Sequence, residues 1–301
     1  MKYSLVIYIA SVCFLISCKK EQTEQCTPKN IKKLNSDRPD LNLSILLDLS
    51  DRIDPNKNPA ASMDYYKRDL SYVESVASAF ETHIWNKKIY EMNDQIQLYI
   101  EPEPLDPGLN TRLDSLKMEF NKTSATNCTI AKISEKYSII PDSIYASALK
   151  QNDFIGSDIY GFFKSKVNDF CIKEGYRNVL VVLTDGYIYH KNAVLKENGL
   201  TSYLTPQTIR GFKLNTSNWE ENIEAKNYGF IPANKNLKAL EVLVLGINPD
   251  PKNPYEEDVI LKYWEDWFAK MGIEHYEIKQ ALLPSDMKGI IQEFIWTNRS
   301  I

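Results

Sequence analysis

The chain has 301 residues, 43% of them hydrophobic, enough to bury one substantial core or two small ones. Its formal net charge of -4 is slight, and no Lys/Arg-rich run accompanies an aromatic platform, so the electrostatic footprint of a nucleic-acid binder is missing. One domain with insertions and no nucleic-acid partner is the expectation.

At the amino terminus Lys2 supplies a positive charge, Val6 to Leu15 is apolar, and Leu15-Ile16-Ser17-Cys18 closes the segment. The apolar stretch is short for a permanent membrane span and suits the core of a secretory signal. Leu-Ile-Ser-Cys resembles the lipobox of bacterial lipoproteins, which implies cleavage before Cys18 and lipid attachment to its thiol. An ordinary signal peptide or an uncleaved anchor is the alternative, and either takes the protein out of the cytosol. Lys19 follows Cys18 where an aspartate is associated with inner-membrane retention in enteric bacteria. The expected location is therefore the cell envelope, as an outer-membrane lipoprotein whose periplasmic or surface face is open. Lys19 to Pro39 is polar and reads as a tether between lipid and domain. Of the 5 cysteines, Cys26, Cys128 and Cys171 remain beyond the signal, allowing at most one internal bridge and a spare thiol, and spacing does not choose the pair. His83, His190 and His275 are isolated and no Cys-x-x-Cys is present, which argues against structural zinc.

The folded part is expected from about Leu41. An apolar run from Leu43 to Leu47, too short for a typical helix, ends abruptly in Asp48-Leu49-Ser50-Asp51-Arg52. It predicts a buried strand with polar side chains at its carboxyl end, where open α/β sheets build sites. Asp54 to Pro59 reads as a loop. From Asp64 to Trp85 the apolar positions Tyr65, Leu70, Val73, Val76, Ala77, Phe80 and Ile84 recur at helical spacing. Gln95 to Ile100 alternates as a strand, Leu109 to Phe120 predicts a helix, and Cys128 to Leu149 predicts one or two helices broken at Pro141. Asp153 to Asp158 is a loop before a helix from Ile159 to Ile172, capped by Ser157 or Asp158. Asn178 to Leu183 repeats the buried-strand design and runs into Thr184-Asp185-Gly186, so the two strand ends can lie side by side in a parallel sheet.

Tyr187 to Lys238 has few periodic apolar positions, and a connection this long is a functional loop, a small subdomain or a disordered excursion. Glu241 to Gly246 is a further buried strand. Tyr255 to Met271 is a helix whose Trp264 and Trp267 read as packing, Glu274 to Ile278 is a last strand, and Ser285 caps a closing helix to Trp296. The fold class is α/β, a doubly wound, mostly parallel sheet flanked by helices, with a long insertion after the Thr-Asp-Gly strand.

Three loops at the carboxyl edge of this sheet supply Asp48 and Ser50, then Ser157, then Asp185. Two carboxylates and two hydroxyls make a hard oxygen site suited to Mg²⁺, with Mn²⁺ or Ca²⁺ as substitutes. A coordination position left to water can be taken by a partner's carboxylate, so that the site adheres without chemistry. With Asp48-Leu49-Ser50-Asp51-Arg52, Gly156-Ser157-Asp158-Ile159 and Thr184-Asp185-Gly186 in this order, the chain resembles a von Willebrand factor type A domain carrying a metal-ion-dependent adhesion site. The family pattern is Asp-x-Ser-x-Ser, a Thr in a Gly-rich loop, and a later Asp after a strand. The resemblance implies direct metal contact from Ser50 and Ser157, contact through water from Asp48 and Asp185, and a protein or peptide ligand bound by an acidic side chain. It covers Leu41 to Trp296, with Tyr187 to Lys238 outside the usual pattern. The organisation is then a lipoprotein signal over 1–17, a tether over 18–40 and the domain over 41–301, with the insertion at 187–238.

Arg52 stands where the family has its second Ser, and a guanidinium cannot ligate a cation. Either Arg52 points outward and leaves a weakened site helped by Asp51, or it points inward as a fixed positive charge, pairs with Asp48 or Asp185 and receives a partner's carboxylate itself. Tyr187, Tyr189 and His190 follow the site-forming strand and can rim a binding face. Each of Ser50, Ser157 and Asp185 taken alone also fits a cap or turn role. An enzyme with Asp48 as nucleophile lacks the second Asp that phosphatases of the haloacid-dehalogenase type carry where Ser50 stands, and no Gly-x-Ser-x-Gly elbow or P-loop is present. A binding protein, not an enzyme, is expected. A metal-free scaffold lipoprotein that engages partners through Arg52 or the insertion is the second class.

Overall fold

The computed structural model describes residue 26 and residues 31–35, 37–60, 62–151 and 157–298. The expected signal over 1–17, the lipidation site Cys18 and Gly156 of the second motif lie outside the described residues.

β1 (Leu41–Leu47) is buried at every residue, as its uninterrupted apolar run requires. A 3-10 turn over Asp51–Ile53 follows, then α1 (Tyr65–Trp85), which presents Tyr72, Val73, Val76, Phe80 and Ile84 to the sheet. β2 (Asn93–Ile100) alternates buried and half-buried positions after an exposed first residue. α2 (Pro107–Asp114) comes next, with Asp106 capping it by accepting from Gly108 N, and then β3 (Met118–Asn121). The helix predicted to run to Phe120 therefore stops at Asp114, because Met118 to Asn121 completes the sheet edge antiparallel to β2 and turns Phe120 into the core. α3 (Asn127–Gln151) is one helix and is not broken at Pro141. Its buried face runs through Tyr137 and on to Ile144 and Tyr145, and this packing overrides the hydrogen bond that proline removes.

α4 (Ile159–Ser165) and α5 (Val167–Cys171) replace the single helix expected to Ile172. They meet at Lys166, whose Nζ is 2.6 Å from Glu101, and the break lets Val167 and Cys171 reach the core beside Phe162 and Phe163. β4 (Arg177–Leu183) is buried throughout. The insertion is a small subdomain: β5 (Lys196–Glu197), β6 (Leu200–Thr201), α6 (Pro206–Gly211), α7 (Trp219–Lys226) and β7 (Gly229–Phe230), with the three strands forming a second sheet. β8 (Leu240–Ile247), α8 (Glu256–Met271), β9 (His275–Gln280) and α9 (Pro284–Trp296) complete the fold. Ser285 does not cap α9; Leu283 holds the cap position before Pro284, whose fixed φ suits the first helical residue.

The large sheet has the order β3-β2-β1-β4-β8-β9, parallel except for β3. This is the doubly wound, mostly parallel arrangement expected. The chain first winds from β1 toward β3 and then crosses back to β4, so the winding reverses between β1 and β4. At such a reversal the connections leave in opposite directions and a crevice opens beyond the carboxyl ends of the strands. One core packs Leu43, Ile45, Val179 and Val181 against α1, α3 and α9; the other packs Leu46, Leu180, Val182 and Val244 against α4, α8 and the insertion. Burying an aliphatic or aromatic side chain in such a layer contributes about 1.5 to 3 kcal/mol before entropy is counted. Trp264 and Trp267 are packing residues, both fully buried.

Part of the segment expected as a tether is held to the domain. A disulfide joins Cys26 to Cys128 at the start of α3, which settles the pairing, and Cys171 is a buried free thiol. Leu34 N donates to Asn86 Oδ1 at 2.8 Å, and Arg38 donates to His83 Nδ1 and to Trp296 O, each at 2.9 Å. Among the described residues no helix is long and apolar enough to cross a membrane.

Candidate functional site

The crevice beyond β1 and β4 is a cavity of about 710 Å³. It gathers Asp48, Ser50, Ser157 and Asp185 as oxygen donors, and Asp51, Arg52 and Tyr187 around them. The insertion supplies the facing wall through Tyr189, Thr205, Pro206 and Gln207.

Asp48 follows directly on β1 and is 1% exposed. Its backbone N donates to Leu183 O at 3.0 Å, which holds it level with the end of β4. Oδ1 accepts from Ser50 N at 2.8 Å and Oδ2 accepts from Thr184 Oγ1 at 3.0 Å. The first contact is a local turn that aims Ser50 at the cleft. Asp185 follows β4, and its Oδ1 accepts from Tyr187 N at 3.1 Å. Gly186 makes that turn with φ +97°, and a Cβ there would lie 2.7 Å from Ile260 Cγ2, so the position needs glycine on both counts. Trp264 Nε1 locks the turn by donating to Gly186 O at 2.9 Å. Burial first, and then the Asp48 carboxylate, push the Asp185 carboxyl up to about 7.

Ser157 enters from the loop before α4 and is 4% exposed. A backbone bridge to Tyr189 ties it to the chain leaving β4. Its neighbour Asp158 is the α4 cap, accepting from Gly161 N at 2.8 Å, and is not a site residue. Neither the Ser50 nor the Ser157 hydroxyl takes part in a hydrogen bond within the described residues, so both present free lone pairs. Asp51 is exposed, 3.3 Å from Lys57. Tyr187 donates its hydroxyl to Glu256 at 2.6 Å and accepts from Asp250 N at 3.1 Å, which leaves only its ring to the cleft. His190 Nδ1 lies 3.5 Å from Asp158 and does not line the cavity.

Arg52 takes the inward arrangement and its ion pair with Asp48, but with an unexpected main partner. It is 6% exposed, and that partner is Asp69 of α1: Nη2 donates to Asp69 Oδ2 at 2.6 Å and to Leu183 O at 3.2 Å. Its Nε is 3.4 Å from Asp48 Oδ2 and makes no hydrogen bond. Tyr145 of α3 donates to the same Asp69 Oδ2 at 2.9 Å. Burial pushes the Asp69 carboxyl up, while the guanidinium and the Tyr145 hydroxyl act to keep it ionised. Asp69 and Tyr145 were missed from sequence. The signal for Asp69 was there: it falls at helical spacing with Tyr65, Tyr72, Val73 and Val76, an acid on the apolar face of α1. Thr184 stood in a quoted motif without a role, and holds Asp48.

Among the described residues no group of three or more His, Cys, Asp or Glu side chains is placed to hold a metal. A cation here relies on hydroxyl and water oxygens besides the carboxylates, a hard donor set that suits Mg²⁺, Mn²⁺ or Ca²⁺ and not zinc.

No protein-family model matches the chain, and no curated protein matches it. Among solved structures it is similar to an aerotolerance-related membrane protein from Bacteroides fragilis NCTC 9343 with multiple mutations to serines, at 12% identity over 85% of this chain and 98% of that one, TM-score 0.36. It is similar to the conserved hypothetical protein BatB from Bacteroides thetaiotaomicron, at 13% identity over 85% of this chain and 97% of that one, TM-score 0.34. It is also similar to the open conformation of the pilus adhesin SpaC from Lactobacillus rhamnosus GG, at 9% identity over 88% of this chain and 31% of that one, TM-score 0.41.

Proposed function

We propose that the chain is a lipid-anchored binding protein of the cell envelope whose von Willebrand factor A-like domain engages a protein or peptide ligand through a divalent cation. The observation that carries this reading is the charge arrangement under the cleft. Arg52 makes its hydrogen-bonded ion pair with Asp69 at 2.6 Å and a longer one with Asp48 at 3.4 Å, so one guanidinium is shared among the carboxylates and Asp48 and Asp185 are only partly compensated beneath two unpaired hydroxyls. A carboxylate pair with one member buried and one partly buried is costly when one guanidinium is shared with a third acid, and a cation relieves it.

Ser50, Ser157 and Asp185 would hold that cation, with Asp48 oriented behind them by Ser50 N and Thr184 Oγ1. The cation would supply a Lewis-acidic position to which a ligand carboxylate binds. The protein's own groups orient the donors, and the insertion wall of Tyr189, Thr205, Pro206 and Gln207 gives the ligand a mixed aromatic and polar surface beside them. Asp48, the one candidate nucleophile, is 1% exposed with both oxygens hydrogen-bonded, which supports binding without bond chemistry. The metal-free reading through Arg52 loses support because that side chain is buried and bonded to Asp69. Anchoring rests on the Leu15-Ile16-Ser17-Cys18 sequence, and outer-membrane residence on Lys19.

The test is thermal unfolding of the protein in chelator and then in Mg²⁺ or Mn²⁺, beside Asp185→Ala. A cation held only by the native state stabilises it by about 2.7 kcal/mol at a hundred times its dissociation constant. The midpoint should rise in the parent and not in the variant. A parent midpoint indifferent to millimolar cation sinks the reading.

A further inference from the structure

We infer that Asp69, seated by Tyr145, is a positioning residue: it holds and neutralises the Arg52 guanidinium so that the cleft keeps the negative charge a divalent cation needs. The inference rests on the cation reading above and names what makes it possible in a chain with Arg at this position.

Charge and distance carry the argument. Three carboxylates, Asp48, Asp69 and Asp185, surround a single guanidinium. Coulombic attraction falls with distance, and the nearest carboxylate takes the largest share. Asp69 is at 2.6 Å in a hydrogen bond, whereas Asp48 is at 3.4 Å from an Nε that makes none. The guanidinium's carboxylate hydrogen bond is therefore to α1, and Asp48 keeps only the longer contact with Nε. Tyr145 has the other hold on Asp69: its hydroxyl reaches the same carboxylate oxygen at 2.9 Å, from a fully buried position on α3. Asp69 and Tyr145 do not line the cleft, and neither can touch a ligand there. A buried acid on the inner face of α1 has no packing reason to be acidic. Its partner supplies one.

The pair divides the possible outcomes. Without its carboxylate partner, Arg52 has only Asp48 and Asp185 to pair with, and competes with the cation for them. With both charges removed together, the cleft returns to the charge it has in the parent. The experiment is Mg²⁺ and Mn²⁺ titration of the full chain by calorimetry and by thermal midpoint, for the parent, Asp69→Asn and the double variant Arg52→Met/Asp69→Asn. The expected result is a loss of cation affinity of about tenfold or more in Asp69→Asn and recovery to within about threefold of the parent in the double variant. A structural role alone does not produce that recovery.

A smaller loss in a folded Asp69→Asn overturns the inference. So does a double variant that binds more than about threefold tighter than the parent, because Arg52 was then repelling the cation all along. Should Asp69→Asn fail to fold, the double variant decides alone by the same threshold. A silent parent beside a responsive double variant keeps the site and discards the neutralisation. Silence in both discards the cation reading itself.

Discussion

Thr184 Oγ1 donates to Asp48 Oδ2 across 3.0 Å at a point where both residues are almost fully buried. Together with the backbone bond from Asp48 N to Leu183 O, it joins the carboxyl ends of β1 and β4 into the floor of the cleft. Gly186 N also donates to Thr184 Oγ1, at 3.2 Å, so this hydroxyl ties the turn carrying Asp185 to the strand carrying Asp48. Thr184→Val keeps the shape and removes the hydroxyl. A hydrogen bond to a charged group is worth about 1.5 to 3 kcal/mol, and denaturant unfolding should show a loss of that size. The cation response should weaken with it, since Asp48 loses one of its two orienting bonds. An unchanged unfolding free energy would assign the contact no role.

Asp185 gives a pH prediction. Its carboxyl is raised from 3.8 to about 7 by burial and by Asp48, so between those values the folded chain keeps a proton that the unfolded chain has released. Its contribution to stability is complete below about pH 3.8 and is lost as pH rises through about 7. In chelator the parent should lose stability relative to Asp185→Asn over that interval, and Mg²⁺ at the upper end should restore the parent only. Thermal midpoints of both proteins across the interval check this; parallel profiles contradict it.

Arg177 and Glu241 form a bidentate pair at 2.7 Å on adjacent strands, and Arg177 also donates to Ile295 O and Phe294 O at the end of α9. Glu241→Gln leaves a buried guanidinium short of its charge partner and should cost about 3 to 5 kcal/mol. Glu274→Gln, which breaks the exposed Lys238–Glu274 pair, should cost less than about 1 kcal/mol. Urea unfolding of the two variants side by side makes the comparison, and equal losses would refute it.

The Cys26–Cys128 bridge closes a loop with a sequence separation of 102. Cross-links over loops of this length stabilise mainly by restricting the unfolded chain, and removal of a native bridge costs about 2 to 5 kcal/mol. Reduction, or Cys26→Ser with Cys128→Ser, should lower the unfolding free energy by that amount. The cleft lies elsewhere, so the cation-induced rise should persist in the reduced protein.

The amino-acid sequence by itself determined the five parallel strands of the large sheet, most helices and the location of the cleft. Those signals are local: an apolar run cut off by Asp48 or Thr184-Asp185-Gly186 carries its strand and its turn within a few residues, and the order of such runs constrains a parallel sheet strongly. It also brought the four oxygen donors together, because each follows a strand or opens a helix at one edge. Tertiary structure alone decided the remainder. Met118 to Asn121 became a strand because β2 had an open edge, and α3 ran through Pro141 because its face was packed on both sides of the proline. Cys26 found Cys128 and not Cys171, which is buried on the other side of the sheet. The direction of Arg52 was decided in the same way. Its local sequence offers Asp48 and Asp51, yet the partner that holds it is Asp69, delivered by α1 and seated by Tyr145 of α3. A buried charge goes to the nearest carboxylate with hydrogen-bonding geometry, and which carboxylate is nearest depends on how helices far apart in the chain pack over the sheet.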